Sequence, residues 1–225
     1  MFKPTYSNNL KEATTEPGFK VMCLVVEDRV EVQIMDAIGP GGVEVESVQG
    51  FLAEHSDKPV RAKVNSPGGL AYDGIALMNA FDDHPQDVTA EITGQAYSAA
   101  AIAVMGADRI EMREGTRLGI HRAHALLVGN ALILRDVANE LESLDGDIAS
   151  IFAQRSGQTA EKMLELMDGK PDGTSFRPED AVSLGLADGV IAPEKRHKAA
   201  RASRLDPKLE SLLACHRLKN EYYKP

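Results

Sequence analysis

The chain has 225 residues, 43% of them hydrophobic and 26% charged, with a formal net charge of −9. That composition supports one buried core, and the acidic balance excludes nucleic acid as the main partner, because binding phosphates takes a basic surface. No apolar run reaches membrane-spanning length and the opening MFKPTYSNNLKEATTEPG lacks the apolar stretch of a signal peptide, so the expectation is a cytoplasmic protein with no membrane association.

Residues 1–18 are polar, with prolines at 4 and 17, and are expected to form an arm that is mobile or ordered only by a partner. Val21 to Val26 is a continuous apolar run, and Arg29 to Met35 alternates; both predict strands, with Glu27-Asp28 as the turn. GPGG at 39–42 predicts a loop, and Val43 to His55 an amphipathic helix carrying Val45, Val48, Phe51 and Leu52 on one face. Val60 to Val64 is the next predicted strand. It leads into Asn65-Ser66-Pro67-Gly68-Gly69 and a helix to Phe81.

Val88 to Thr93 is predicted as a strand, Gly94-Gln95 as a turn, and a thin Ala-rich helix opens near Ser98. Short strands follow at Asp108 to Met112 and Arg117 to Ile120. This alternation predicts an α/β fold with a largely parallel sheet and right-handed crossovers. Asn130 to Ala153 carries a long helical pattern, which suggests a projecting or subunit-bridging element. Thr159 is a predicted N-cap for a helix through Met167. Pro178 with Glu179 and Asp180 opens a short helix that Gly185 ends, before a strand fragment at Val190-Ile191. From Pro193 the chain is charged and is expected to be a peripheral tail (193–225) that follows a domain over 19–192.

Cys23 and Cys215 form no CxxC pair, the histidines show no HExxH spacing, and there is no GxxxxGK[ST] loop. No metal and no cofactor is therefore expected, and no ATPase within the chain itself. What the sequence does offer is a candidate for each part of serine acyl transfer. Ser98 stands at a strand-to-helix turn, where the N–H of Ala99 is free of helical bonding. Gly68 and Gly69 lie between a strand and a helix, where backbone N–H groups can turn toward a ligand. His121 closes the strand TRLGI, with His124 as a competitor three residues on, and Asp172 sits in the turn KPDGTS. Taken singly, each has a commoner bland reading: a helix N-cap, a tight turn, a solvated histidine, a turn acid.

Together, the blocks VNSPGGLAYDGIALMNAF (64–81), TGQAYSAAAIAVMGADRIEM (93–112), LGIH (118–121) and FRPEDAVSLGLADGVI (176–191) resemble the ClpP-like serine proteases of the ClpP/crotonase fold. The likeness is strongest to the shorter phage and prophage enzymes that mature capsids. The resemblance covers about Val21 to Ile191. It implies a β-α superhelix of repeated ββα-like units with a projecting handle at about 125–158. It also implies Ser98 as nucleophile, His121 as base, and the amides of Gly69 (with Gly68 adjacent) and Ala99 as oxyanion donors. The acid falls near Asp172; counting back from Ala181 lands on Gly173, so Asp172 needs a one-residue shift and Thr174 is the alternative third member. Tyr97 stands where a small residue is usual, and Arg122-Ala123 replaces Gln-Pro. The implied activity is a serine endopeptidase, ATP-independent by itself, in a homo-oligomeric ring (a heptamer or stacked double ring). Its implied partners are a polypeptide substrate, such as a phage scaffold protein, and an ATP-driven unfoldase. A catalytically silent ring protein and a crotonase-type acyl-CoA enzyme are the competing expectations; a Ser–Lys peptidase is disfavoured, since no lysine lies between Ser98 and Lys162.

Overall fold

The computed structural model describes residues 21–169 and 172–192; the predicted arm (1–18) and tail (193–225) lie outside them. The described elements belong to one unit that ends at Ile191. Strands β1 (Val21–Val26) and β2 (Arg29–Ile34) form an antiparallel hairpin, after which the chain alternates helix and strand. In order come α1 (Val45–Glu54), β3 (Val60–Ser66), α2 (Ala71–Asp82), β4 (Val88–Tyr97), α3 (Ala99–Val104), β5 (Arg109–Arg113) and β6 (Arg117–Ile120). Then follow α4 (Ala131–Ser156), α5 (Ala160–Met167), β7 (Thr174–Phe176), α6 (Pro178–Leu184) and β8 (Gly189–Ile191). The eight strands make one sheet, six of them in the order β1-β2-β3-β4-β5-β8 with β6 pairing β4 and β7 pairing β6, in which every pair except β1/β2 and β6/β7 is parallel.

The predicted turn at Gly94-Gln95 is corrected: β4 runs straight through it to Tyr97. Its first half pairs with β5 (Thr89 to Ile92 against Arg109 to Met112) and its last residues pair with β6 (Gln95 to Tyr97 against Arg117 to Gly119). The sheet therefore forks along β4, and the register against β3 shifts between Val64 and Ser66 at the same level. Gly94 marks the fork for a packing reason. A Cβ there would lie 2.2 Å from Asn65 Oδ1, the atom that accepts from the Gln95 N–H at 3.2 Å. A side-chain amide replaces the ladder bond that the bulge removes.

Valines and isoleucines of β2, β3 and β4 share one core with residues of α1, α2 and α3, including Val32, Ile34, Phe51, Leu77, Phe81 and Ile92. All six residues of α3 are buried; small side chains let this helix lie deep in that core. Long helix α4 is capped by Asn130, whose side chain accepts from the N–H groups of Leu132 and Ile133, and ends at Gly157 in the left-handed conformation. Only its second half is buried, through Leu144, Asp145, Ile148, Ala149 and Phe152. Leu132, Ile133 and Leu134 in its first turn are exposed, as are Leu126 and Val128 in the loop before it. No helix among the described residues is long and apolar enough to cross a membrane.

Candidate active site

Ser98 sits between the end of β4 and the start of α3 with φ 55° and ψ −125°. Only it and Glu27 among the described non-glycine residues have positive φ. Such a backbone costs about 1–3 kcal/mol and persists only where neighbours over-determine it. Here they do: the Ser98 N–H donates to the Gly119 carbonyl of β6 at 3.0 Å, while its own carbonyl accepts from Ala101 at 2.9 Å and Ile102 at 3.2 Å. The sharp turn lifts the side chain off the strand, and Ser98 and His121 line one pocket with Ile102, Ile120 and Phe152. No hydrogen bond joins Ser98 to His121.

The Ser66–Leu70 strip passes directly beside this turn. A Cβ on Gly68 would lie 2.5 Å from Ser98 Cβ and 3.0 Å from the Ala99 nitrogen, so only a glycine, at φ +97°, brings the strip this close. Ser66 Oγ, fully buried, donates to the Asp36 carbonyl at 2.6 Å and accepts from the Gly68 N–H at 3.1 Å. The Gly68 amide is thereby already engaged, which limits Gly68 to forming the wall. Gly69 differs. Its neighbours bridge to Ile38 (Ile38 N–H to the Gly68 carbonyl at 2.8 Å, Leu70 N–H to the Ile38 carbonyl at 3.0 Å). In a parallel bridge of this kind the intervening N–H points to the opposite side. The Ala99 N–H opens α3 and has no intrahelical acceptor.

His121 follows the last residue of β6. Its Nδ1 lies 2.6 Å from the Arg122 carbonyl, which can only accept, so Nδ1 carries the proton and a neutral ring presents its lone pair at Nε2. β7 runs antiparallel beside β6, pairing Ile120 with Thr174, and so delivers Asp172 to the histidine end. One ring nitrogen each of His121 and His124 and one Asp172 carboxylate oxygen lie within 4.8 Å of one another. Thr174 is turned elsewhere, its hydroxyl donating to the Leu166 carbonyl at 2.5 Å. Tyr97 reaches across to β7, with its hydroxyl 2.5 Å from Ser175 Oγ, and so ties β4 to the strand that follows Asp172.

Sequence reasoning missed a clamp behind His121. Arg122 grips Asp168 through Nε and Nη2 (2.5 and 2.9 Å) and Asp145 through Nη1 (3.1 Å). Asp145 also accepts the Ala123 N–H at 2.7 Å and is almost fully buried. The Asp168 contact first, and Asp145 second, hold the guanidinium still more firmly protonated, and Arg122 in turn keeps Asp168 below the usual carboxylate range. The signal was available: Asp145 falls on the apolar face of α4, one residue after Leu144 and three before Ile148, where an acid needs a partner.

A strained serine at a strand-to-helix elbow, a histidine in the same pocket and a glycine strip against the serine are the kinds of group a serine-hydrolase site is built from, here on an α/β fold. A family model described as Clp protease matches residues 45–194, and the chain belongs to that family. It is 28% identical over 150 residues to the ATP-dependent Clp protease proteolytic subunit 1 of Chlamydia felis, covering 66% of this chain and 72% of that protein. The same identity and coverage hold for proteolytic subunit 2 of Chlamydia trachomatis serovar D. In three dimensions the chain is similar to a point mutant of ClpP1 from Listeria monocytogenes, with a TM-score of 0.64 at 20% identity, covering 73% of this chain and 92% of that one.

Proposed function

We propose that the protein is a serine endopeptidase that works through an acyl-enzyme. Ser98 Oγ attacks the peptide carbonyl while His121 Nε2 takes its proton and later returns it to the leaving amine; water then hydrolyses the ester by the same route. The N–H groups of Gly69 and Ala99 hold the oxyanion, and Asp172 is the acid that supports the imidazolium. The observation that carries this reading is the strained backbone of Ser98, held in one pocket with His121 and walled by Gly68. Family membership supports it independently.

The exposed apolar residues from Leu126 to Leu134 support a ring-forming homo-oligomer in which this end of α4 meets another subunit. The catalytic face would then lie in an enclosed chamber of a cytoplasmic particle. The relatives' names support an ATP-driven unfoldase as one feeder of substrate; a phage scaffold protein is proposed as the other, with the chain itself needing no ATP when its substrate is already unfolded. A second reading, a ring protein with silent catalysis, is favoured by two observations: His121 Nδ1 donates to the Arg122 carbonyl, and Ser98 has no bond to the imidazole.

Wild type and Ser98→Ala should be compared for fluorophosphonate labelling and for cleavage of casein and of any scaffold protein encoded nearby. Labelling and cleavage that both vanish in Ser98→Ala are expected. Cleavage surviving the substitution overturns the peptidase reading. Rings that form but neither label nor cut establish the silent one.

A further inference from the structure

The pocket histidine does not stand alone. His124 stacks on His121 with ring centroids 5.0 Å apart and planes at 27°, and Asp172 lies two residues before Thr174, the partner of Ile120 in the β6–β7 pair. The candidate donor atoms, one from each residue, already lie within 4.8 Å of one another. Zinc binds nitrogen and oxygen at about 2.0–2.2 Å in a tetrahedron, which puts ligand atoms about 3.3–3.6 Å apart, so the widest pair must close by at most about 1.5 Å. His124 and Asp172 are exposed, which leaves their side chains room to rotate toward an ion.

Two further features suit a metal. The Nδ1–H of His121 is bonded to a main-chain carbonyl, the kind of outer contact that fixes the tautomer of a ligating histidine and leaves Nε2 as donor. Arg122, next in sequence to His121, is paired with both the Asp145 and Asp168 carboxylates, which offset its positive charge beside a divalent ion. Two imidazoles with one carboxylate favour Zn²⁺ over Mg²⁺ or Ca²⁺, which prefer all-oxygen sets.

We propose that His121, His124 and Asp172 form an inhibitory Zn²⁺ site, with water as the fourth ligand. The metal occupies the same lone pair that would accept the Ser98 proton, so a bound ion and a working base exclude each other. This inference rests on the reading of His121 as the base for its inhibitory effect, though not for the binding itself.

The test uses the full chain, stripped of metal with a chelator and desalted, with Zn²⁺ or Co²⁺ alone as the probe. Wild type is expected to show the visible absorption of tetrahedral Co²⁺, displaced by Zn²⁺, and at least a tenfold slower fluorophosphonate labelling of Ser98 in saturating Zn²⁺. His124→Ala is expected to label at the wild-type rate without metal, to lose the Co²⁺ band, and to resist Zn²⁺ by at least tenfold in concentration. A wild type with no tetrahedral Co²⁺ signal, or a His124→Ala variant with the same band and the same Zn²⁺ sensitivity, overturns the site. If wild type never labels yet shows a Co²⁺ band that His124→Ala abolishes, the peptidase reading fails and the metal site stands.

Discussion

Replacing Gly68 with alanine tests the contact on which the proposed oxyanion geometry depends. The new Cβ meets Ser98 Cβ and the Tyr97 carbonyl at 2.5 Å, at a backbone φ of +97°. The positive φ costs about 1–2 kcal/mol for an L side chain, and forcing a methyl into packed backbone adds about 1–3 kcal/mol. Gly41→Ala is the matched control: its φ is +76°, and a Cβ there meets nothing within 4 Å, so it bears the conformational cost alone. The difference between the variants is the clash, which corresponds to about 2–12 °C in Tm at about 2–4 °C per kcal/mol. Melting should be followed at matched protomer concentration, because any oligomer makes Tm concentration-dependent. Relief of the clash moves the Ser66–Leu70 strip away from Ser98, carrying the Gly69 amide with it. Loss of one oxyanion donor lowers acyl transfer by about 10²–10³. Fluorophosphonate labelling of Gly68→Ala, measured well below its melting point, should fall by that factor relative to Gly41→Ala. Variants that melt together and label at equal rates would refute the described approach of Gly68 to Ser98.

Asp172→Asn is expected to cut casein turnover by as much as about 10⁴ with little change in Tm, because the side chain is exposed and its proposed task is electrostatic. Thr174→Val should do the reverse, losing about 1 kcal/mol with its bond to the Leu166 carbonyl while the labelling rate holds; a rate loss in this variant would make Thr174 the orienting residue. Glu91 is fully buried between Arg61 and Arg113. Burial pushes its carboxyl up, but the hydrogen bonds from Arg113 and Arg61 outweigh that and hold it below its ordinary value of 4.5. Its contribution to stability is therefore complete above pH 4.5 and is lost as pH falls through the lower folded value. Glu91→Gln should cost about 1–3 kcal/mol near neutral pH, since both arginines are partly exposed and can rehydrate, and urea midpoints should fall less steeply than wild type between about pH 5 and about pH 3.

Most elements could be read from local pattern alone. Alternation in β2, the apolar face of α1 and the caps Thr159 and Gly185 each express a preference within one or two turns of chain. The family likeness was also legible, carried by blocks that include Ser98, Gly68 packed against it and His121 in the same pocket. Gly94 shows where such reading stops. A glycine followed by a polar residue has the local signature of a turn, yet β4 passes through because Asn65, 30 positions before Gln95, receives the Gln95 amide.

The same boundary divides the site. Ser98 was visible as a strand-to-helix junction, and its covalent neighbours largely dictate that role. The positive φ is decided by bonds to β6 and α3, which exist only once the strands are in register. Asp172 and Thr174 are two residues apart and chemically plausible alike; the β6–β7 pairing sets which lies beside His121 and which turns to α5. Likewise Arg122 looked like a departure from a motif until α4 and the end of α5 brought Asp145 and Asp168 to it. Local propensity acts through bonded neighbours and is written along the chain. The pairing of charges and donors depends on distances that only long-range packing creates.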